Sequence, residues 1–144
     1  MNSEKNRERF RDLTLLSASE RNYPNSPDAA RLEAFENVYA DRDYVIEFDC
    51  PEYTSLCPVT GQPDFGHIIV RYVPDKKCIE SKSLKLYLYS FRNTNTFHEE
   101  SVNTILDAVV KTCSPRRAEV IGRLRPRGGI AINVKATYGD KIDE

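Results

Sequence analysis

The sequence predicts an α+β fold in which an antiparallel four-stranded sheet carries helices on one face. Runs of β-branched and aromatic residues, bounded by turn-forming residues, predict four strands, at 44–48, 65–73, 118–124 and 130–136. Apolar residues at helical spacing predict a helix over 98–111, which Pro115 follows as a stop. With a further helix between the second strand and this one, the order is β-β-α-α-β-β, and an antiparallel sheet follows from it.

The first two strands surround a loop, and the last two surround a turn. Strand 44–48 precedes Pro51, and strand 65–73 ends at Pro74. The last two strands flank the turn at 125–129, which contains two glycines. The edges of so small an open sheet are exposed, and this favours oligomerisation through them.

The segment 81–93 fits two periods. Alternating leucines would suit a strand, whereas Leu84, Tyr87, Leu88 and Phe91 would form one helical face. We interpret the segment as the missing helix, with Ser81 as its N-cap.

Composition indicates one soluble domain. The chain has 144 residues, of which 40% are hydrophobic and 30% are charged. Residues 1–40 are expected to form a partly ordered N-terminal extension, with one short helix near 29–35, and residues 41–144 the domain itself.

Charge and hydropathy exclude some classes of function and indicate where the protein is located. Twenty-one basic and 22 acidic residues give a net charge of -1, which argues against a dedicated nucleic-acid or membrane-surface binder. No apolar run approaches the roughly 18 residues of a membrane span. No secretory leader is visible either, so we expect a cytoplasmic protein with reduced thiols.

Cys57 and Asp64 are the most informative pair, because they share one short non-helical segment with a Pro and a Gly. An ionised thiol is a strong nucleophile, and a nearby carboxyl can deliver a proton. From these residues alone, packing and catalysis are equally good accounts of Cys57, and Asp64 has the alternative of capping the turn. The other cysteines, Cys50, Cys78 and Cys113, are interpreted as small buried apolar residues.

Three further segments carry candidate binding groups. Glu80, Ser81 and Lys82 open the first helix, where free amides and a cation would suit a phosphate, although a solvated capping segment is the better account of them alone. His98 and Glu99 start the second helix and would suit a purine-like base, or an ordinary acidic first turn. The turn at 125–129 offers guanidinium groups and open backbone to a phosphate, or is a plain β-turn.

Taken together, these segments resemble the NADPH-dependent 7-cyano-7-deazaguanine reductases, the nitrile reductases of queuosine biosynthesis. The resemblance lies between residues 43 and 139, and the run Glu-Ser-Lys-Ser-x-Lys at 80–85 is the hallmark of that family. The other matching runs are Thr-Ser-Leu-Cys-Pro at 54–58, Gln-Pro-Asp-Phe at 62–65, Ser-Phe-Arg-Asn at 90–93, Phe-His-Glu at 97–99 and Pro-Arg-Gly-Gly at 126–129.

The resemblance implies the tunnelling fold, in which the sheets of neighbouring subunits join into a ring barrel. For the short, single-module members it also implies pentamers paired into a decamer, with active sites between subunits. The implied substrate is 7-cyano-7-deazaguanine, NADPH is the co-substrate, and neither a metal nor direct nucleic-acid binding is implied.

The resemblance also implies residue roles. Cys57 would be the nucleophile that forms a covalent thioimidate, and Asp64 the proton donor. Ile79, Glu80 and Ser81 would line the substrate pocket, while His98 and Glu99 would hold the deazaguanine. NADPH would be contacted by Ser81, Lys82, Arg127 and Gly128, from a neighbouring subunit.

Two other functions remain as alternatives. One is a tunnelling-fold enzyme acting on a pterin or purine, such as a GTP cyclohydrolase, although no zinc-ligand spacing is visible. The other is a non-catalytic purine-binding oligomer, which would need Glu99 and have no use for Cys57 or Asp64.

Overall fold

The computed structural model describes residues 3–13, 23–28 and 30–143, and these form an α+β protein with antiparallel sheets. The three helices found in this part of the chain are α1 (Ser3–Arg9), α2 (Ser81–Tyr89) and α3 (His98–Cys113). The strands are β1 (Ala34–Glu36), β2 (Ile46–Leu56), β3 (Pro63–Val73), β4 (Lys77–Ile79), β5 (Arg117–Arg127) and β6 (Ile130–Tyr138). The predicted β-β-α-α-β-β core is confirmed.

The main sheet has the order β2-β3-β5-β6, and each neighbouring pair is antiparallel. Side chains alternate along the strands, so that Ile68, Val70 and Tyr72 of β3 are fully buried. Helix α3 covers the same face with Val102, Ile105 and Val109, which are also fully buried. This face of the sheet therefore forms the hydrophobic core, against which the helices pack.

The prediction that 81–93 is helical is confirmed for α2 (Ser81–Tyr89). Leu84, Tyr87, Leu88 and Phe91 are buried, as the helical period requires. The prediction that Ser81 caps this helix is wrong, because Glu80 is the N-cap and its carboxylate accepts from the amides of Lys82 and Ser83.

Strand β2 is longer than predicted. It continues past Pro51 to Leu56, and its register shifts between Cys50 and Tyr53. Proline is tolerated in an edge strand and at a bulge because no ladder hydrogen bond is lost there. The extension places Tyr53 and Ser55 in the core and brings the strand to the residue before Cys57.

The short helix predicted near 29–35 is wrong for residues 30–35, and Ala29 lies outside the described residues. Ala34–Glu36 is strand β1, which pairs with β4 through Ala34 and Ile79. Phe35 also packs edge-on against Phe10 of the segment after α1, with ring centroids 5.6 Å apart. Pairing and packing with distant residues therefore override the local preference for helix.

Within the described residues, no helix has the length and apolar character needed to cross a membrane.

Candidate active site

The candidate site is built around the hairpin end, by which we mean residues 55–64, where β2 turns into β3. Ser55 faces Asp64 across the two strands, and Leu56 faces Pro63. Beyond this last pair, the amide of Cys57 donates to Gln62 O at 2.9 Å, and the amide of Gly61 donates to Cys57 O at 2.9 Å. Gly61 has a φ of 70°, which glycine adopts without strain. The tight turn brings Cys57 and Asp64 to the same end of the hairpin.

The turn also sets the ionisation of the thiol. The Thr60 hydroxyl, followed by the backbone amides of Thr60 and Val59, lowers the pKa of Cys57 to about 7, and Arg127 adds a smaller effect in the same direction. Burial instead raises the pKa of Cys50 to about 11 and that of Cys113 to about 12. Of these three thiols, only Cys57 is a thiolate in a substantial fraction of molecules near neutral pH.

Asp64 is only 6% exposed and has a cationic partner. Arg127 on β5 approaches it with Nε 3.1 Å from Oδ1, and the same guanidinium donates to Gln62 Oε1 at 2.7 Å. The backbone carbonyl of Asp64 accepts from the Thr54 hydroxyl at 2.7 Å. Arg127 thus ties the end of β5 to the hairpin end and lies beside both the carboxylate and the thiol.

A cavity of about 450 Å³ opens between the two hairpins of the main sheet. Residues 62–65 line one side and residues 125–127 the other. Arg125 lies over the ring of Phe65, with its guanidinium carbon 5.7 Å from the ring centroid. The cavity therefore has a carboxylate, two guanidinium groups and an aromatic face, which can hold a polar ligand beside Asp64.

The start of α3 is fixed next to Cys57 by the chain before it. The Leu56 amide donates to Thr94 O, and the Thr96 amide donates to Leu56 O, each at 3.0 Å. His98 and Glu99 follow directly and begin α3. His98 is buried with Nδ1 unpaired among the described residues, whereas the Glu99 side chain is exposed. The structure thus brings His98 and Glu99 to the hairpin end.

The residues at the start of α2 are held in place by hydrogen bonds of their own. Ile79 is buried in β4 and donates its amide to the Tyr72 hydroxyl at 2.8 Å. The carboxylate of Glu80 accepts from the amides of Lys82 and Ser83, each at 2.7 Å. The expectation of free amides for a phosphate is therefore wrong at these two positions.

The turn between β5 and β6 is a two-residue hairpin. Arg127 pairs with Ile130, and Gly128 and Gly129 have φ values of 57° and 80°. Positive φ at both central residues is typical of the type I′ turn. A side-chain carbon at either glycine would meet no atom within 4 Å, so the backbone of this turn is open to a ligand.

Sequence reasoning missed one contributor to this site. Thr60 lowers the pKa of Cys57, and a hydroxyl three residues after a cysteine in a Gly turn is the signal that points to it. In the described residues, no cluster of three or more His, Cys, Asp or Glu side chains could hold a metal ion.

Comparison with known proteins identifies relatives of high similarity. A family model described as "QueF-like protein" matches residues 63–143. The NADPH-dependent 7-cyano-7-deazaguanine reductase of Streptococcus mutans serotype c is 54% identical over 132 residues, which are 92% of this chain and 82% of that one. The enzyme of the same name from Neisseria gonorrhoeae is 49% identical over 135 residues, or 94% of this chain and 86% of its own.

A solved structure supports the fold alone. The apo form of the archaeosine synthase QueF-Like superposes with a TM-score of 0.64 at 21% sequence identity. The match covers 68% of this chain and 96% of that one. The two proteins therefore share an architecture.

Proposed function

Because the chain belongs to the family of NADPH-dependent 7-cyano-7-deazaguanine reductases, we propose that it reduces the nitrile of 7-cyano-7-deazaguanine to an aminomethyl group. This step belongs to the cytoplasmic biosynthesis of queuosine, a modified nucleoside of tRNA. One observation carries the proposal: a thiol with a pKa of about 7, Cys57, stands at the same hairpin end as the buried carboxyl of Asp64.

The proposed first step is addition of the Cys57 thiolate to the nitrile carbon. A C–S bond forms, one π bond of the nitrile breaks, and the nitrogen takes a proton from Asp64. The product is a covalent thioimidate, whose C=N bond accepts hydride far more readily than the nitrile does. The low pKa of Cys57 supports this step, because about half of the molecules carry the thiolate at pH 7.

Asp64 must carry a proton to act as the donor. In the free protein its carboxylate is paired with Arg127 at 3.1 Å. Binding of the substrate is therefore expected to separate the pair, because a carboxylate held by a guanidinium has no proton to give.

Substrate recognition is assigned to the start of α3. Glu99 has an exposed carboxylate, and it can accept hydrogen bonds from the ring N–H groups of the deazaguanine. His98 presents a buried ring whose Nδ1 lacks a partner in the described part of the chain. Ile79, Glu80 and Ser81 are proposed to complete the pocket. The amide and carbonyl of Glu80 are hydrogen-bonded within the protein, and both of its carboxylate oxygens accept amides, so a contact from Glu80 would use the remaining lone pairs of that carboxylate.

The residues present fit a phosphate-bearing cofactor at the turn between β5 and β6. The half-exposed guanidinium of Arg127 and the open backbone at Gly128 can approach an anion, and the side chains of Ser81 and Lys82 are proposed to complete the site from a neighbouring subunit. When bound, each of two successive NADPH molecules would supply one hydride, and the two hydrides together would take the nitrile carbon to the level of an amine. An enclosed pocket must protect the partly reduced substrate from hydrolysis.

The assembly is proposed to be a ring barrel of the tunnelling fold, with two pentamers stacked into a decamer. The edges of the main sheet are β2 and β6, and β6 exposes Ile130 by 69% and Tyr138 by 44%. Apolar side chains on an edge strand are suited to pairing with another copy. A mass ten times that of the chain by light scattering would support the decamer, and a monomer at micromolar concentration would contradict it.

The direct test of activity is consumption of NADPH, followed by absorbance, on addition of 7-cyano-7-deazaguanine. We expect two NADPH to be oxidised for each nitrile reduced, because a nitrile needs two hydrides to become an amine. No oxidation, with substrate binding established by calorimetry, would overturn the proposed function.

A further inference from the structure

Two arginines of strand β5 have no part in the chemistry described so far. Arg123 and Arg125 are both exposed, and neither forms a hydrogen bond or an ion pair with any residue that the structure describes. The other arginines of β3 and β5 each lie within ion-pair distance of a carboxylate; these are Arg71, Arg117 and Arg127. Arg123 and Arg125 therefore keep all of their N–H donors for a ligand.

The two guanidinium groups share one face of the main sheet, the face opposite the hydrophobic core. Arg123 pairs with His67 of β3. The guanidinium carbon of Arg125 lies 5.7 Å from the ring centroid of Phe65, which stands two residues before His67 on the same face. Leu124, between the two arginines, is buried on the core face. Residues two apart on a strand are separated by about 7 Å, so both guanidinium groups can reach a single phosphate.

The surroundings of Arg125 suit an anion. The ring of Phe65 restrains the guanidinium through its flat face and leaves the N–H groups at its edge free. In the cavity of about 450 Å³ that Arg125 lines, the carboxylate of Asp64 is already paired with Arg127. The carboxylate of Asp49, on the other side of β3, is hydrogen-bonded to His67. The charge of Arg125 is therefore not neutralised by these acids.

The positions of the two arginines fit one particular group of NADPH. Arg127 contacts Asp64 at the hairpin end, where the nicotinamide must deliver its hydride in the proposed reaction. Arg125 and then Arg123 lie at increasing distance from that end along β5. In NADPH the 2′-phosphate is carried by the adenosine ribose, on the far side of the pyrophosphate from the nicotinamide. The arginines farther from the hairpin end therefore suit the phosphate farther from the nicotinamide.

We propose that Arg123 and Arg125 bind the 2′-phosphate of NADPH, and that this contact selects NADPH over NADH. A guanidinium presents parallel N–H groups to two phosphate oxygens, and such charge-assisted hydrogen bonds are strong. NADH has a hydroxyl in place of this phosphate, so it offers the two arginines no charge. This inference rests on the proposed function and adds the residues that discriminate between the two cofactors.

Calorimetry with two cofactor fragments tests the proposal without any catalysis. Adenosine 2′,5′-bisphosphate carries the 2′-phosphate, and adenosine 5′-monophosphate does not. The wild type should bind the bisphosphate at least about tenfold more tightly than the monophosphate. Arg125→Ala and Arg123→Ala should each weaken binding of the bisphosphate about tenfold and leave that of the monophosphate unchanged. Equal affinity of the wild type for the two fragments, or binding of neither, would overturn the proposal.

Steady-state oxidation of the two cofactors extends the test to the complete reaction. In Arg125→Ala and Arg123→Ala, KM for NADPH should rise about tenfold, while kcat and KM for NADH should stay within about twofold of the wild type. An equal rise of KM for both cofactors would contradict the assignment to the 2′-phosphate. If Arg125→Ala does not fold by circular dichroism, Arg123→Ala decides.

Arg42→Ala is the matched control. Arg42 is likewise exposed and lies over an aromatic ring, that of Tyr39, with its guanidinium carbon 5.2 Å from the ring centroid. It precedes β2, at the opposite end of that strand from Cys57. Its loss removes the same charge and should leave KM for NADPH unchanged. A wild type that oxidises no NADPH would overturn the proposed function, whereas an active enzyme whose KM for NADPH is the same in Arg125→Ala, Arg123→Ala and the control would overturn this inference alone.

Discussion

The hairpin end and the start of α2 are both rich in polar groups, but they differ in how far those groups are satisfied. At the start of α2, which we call the α2 cap (residues 80–83), both oxygens of the Glu80 carboxylate accept backbone amides. At the hairpin end the thiol of Cys57 has a pKa of about 7, and the Ser55 hydroxyl is buried without a partner among the described residues.

This difference separates a structural role from a chemical one. Satisfied polar groups stabilise the fold, and their removal costs stability. Reactive groups must keep hydrogen-bonding capacity for a ligand. In the free protein they therefore lack hydrogen-bond partners or have shifted pKa values. Substitutions at the hairpin end should therefore change chemistry, whereas loss of the Glu80 carboxylate should change stability.

The largest effect is expected from Cys57→Ala. It removes the nucleophile, so turnover should fall by at least about a thousandfold and no thioimidate should form. NADPH oxidation and intact-protein mass spectrometry measure both. An adduct that persists in this variant would show that another residue is the nucleophile. It would contradict the claim that the hairpin end carries the covalent chemistry.

Glu99→Ala should mainly weaken substrate binding. Loss of a carboxylate that accepts ring N–H groups is expected to raise Kd about ten- to a hundredfold. Calorimetry in a Cys57→Ala background measures this without covalent reaction. Glu100→Ala, one residue further along the same exposed turn, is the matched control. Equal affinity in the two variants would refute the role of Glu99.

Glu80→Ala should destabilise the protein by about 1–2 kcal/mol, because two amides at the start of α2 lose their acceptor. Urea unfolding measures the change. Glu80→Gln keeps one acceptor oxygen, so its free energy of unfolding should lie between those of the wild type and Glu80→Ala. A Glu80→Ala protein whose free energy of unfolding equals that of the wild type would contradict the capping role of this carboxylate.

Thr60→Val should produce the smallest change, one that depends on pH. Loss of the hydroxyl raises the pKa of Cys57 from about 7, so less thiolate exists at neutral pH. For a rise of about one unit, the thiolate fraction at pH 7 falls from about a half to about a tenth, and thioimidate formation slows about fivefold. The rates of variant and wild type should converge as pH rises above both pKa values, where both thiols are ionised. A ratio of variant to wild-type rate that stays constant with pH would indicate a structural effect instead.

Much of the fold could be predicted because local patterns agree with the tertiary structure. The apolar faces of α2 and α3 are continuous, and the two glycines at 128–129 encode the tight turn. Strand β2 was predicted too short because Pro51 argues against a strand, and only the position at a sheet edge makes it acceptable. Strand β1 depends on pairing with β4, a contact that no local pattern carries.

The reactive groups of the site could be predicted from the sequence, but the side chains that contact them could not. Cys57 and Asp64 share one short segment, so their proximity could be expected from the sequence. Arg127 meets Asp64 only because β3 and β5 are neighbours in the sheet. Such contacts follow from topology, which spacing along the chain does not reveal.

The most direct test of the central claim is the intact mass of the protein after incubation with 7-cyano-7-deazaguanine in the absence of NADPH, followed by peptide mapping. The account predicts a mass gain equal to one substrate molecule, located on the peptide that contains Cys57. No mass gain with the substrate bound, or a gain on a peptide without Cys57, would contradict the claim that the hairpin end performs the covalent chemistry.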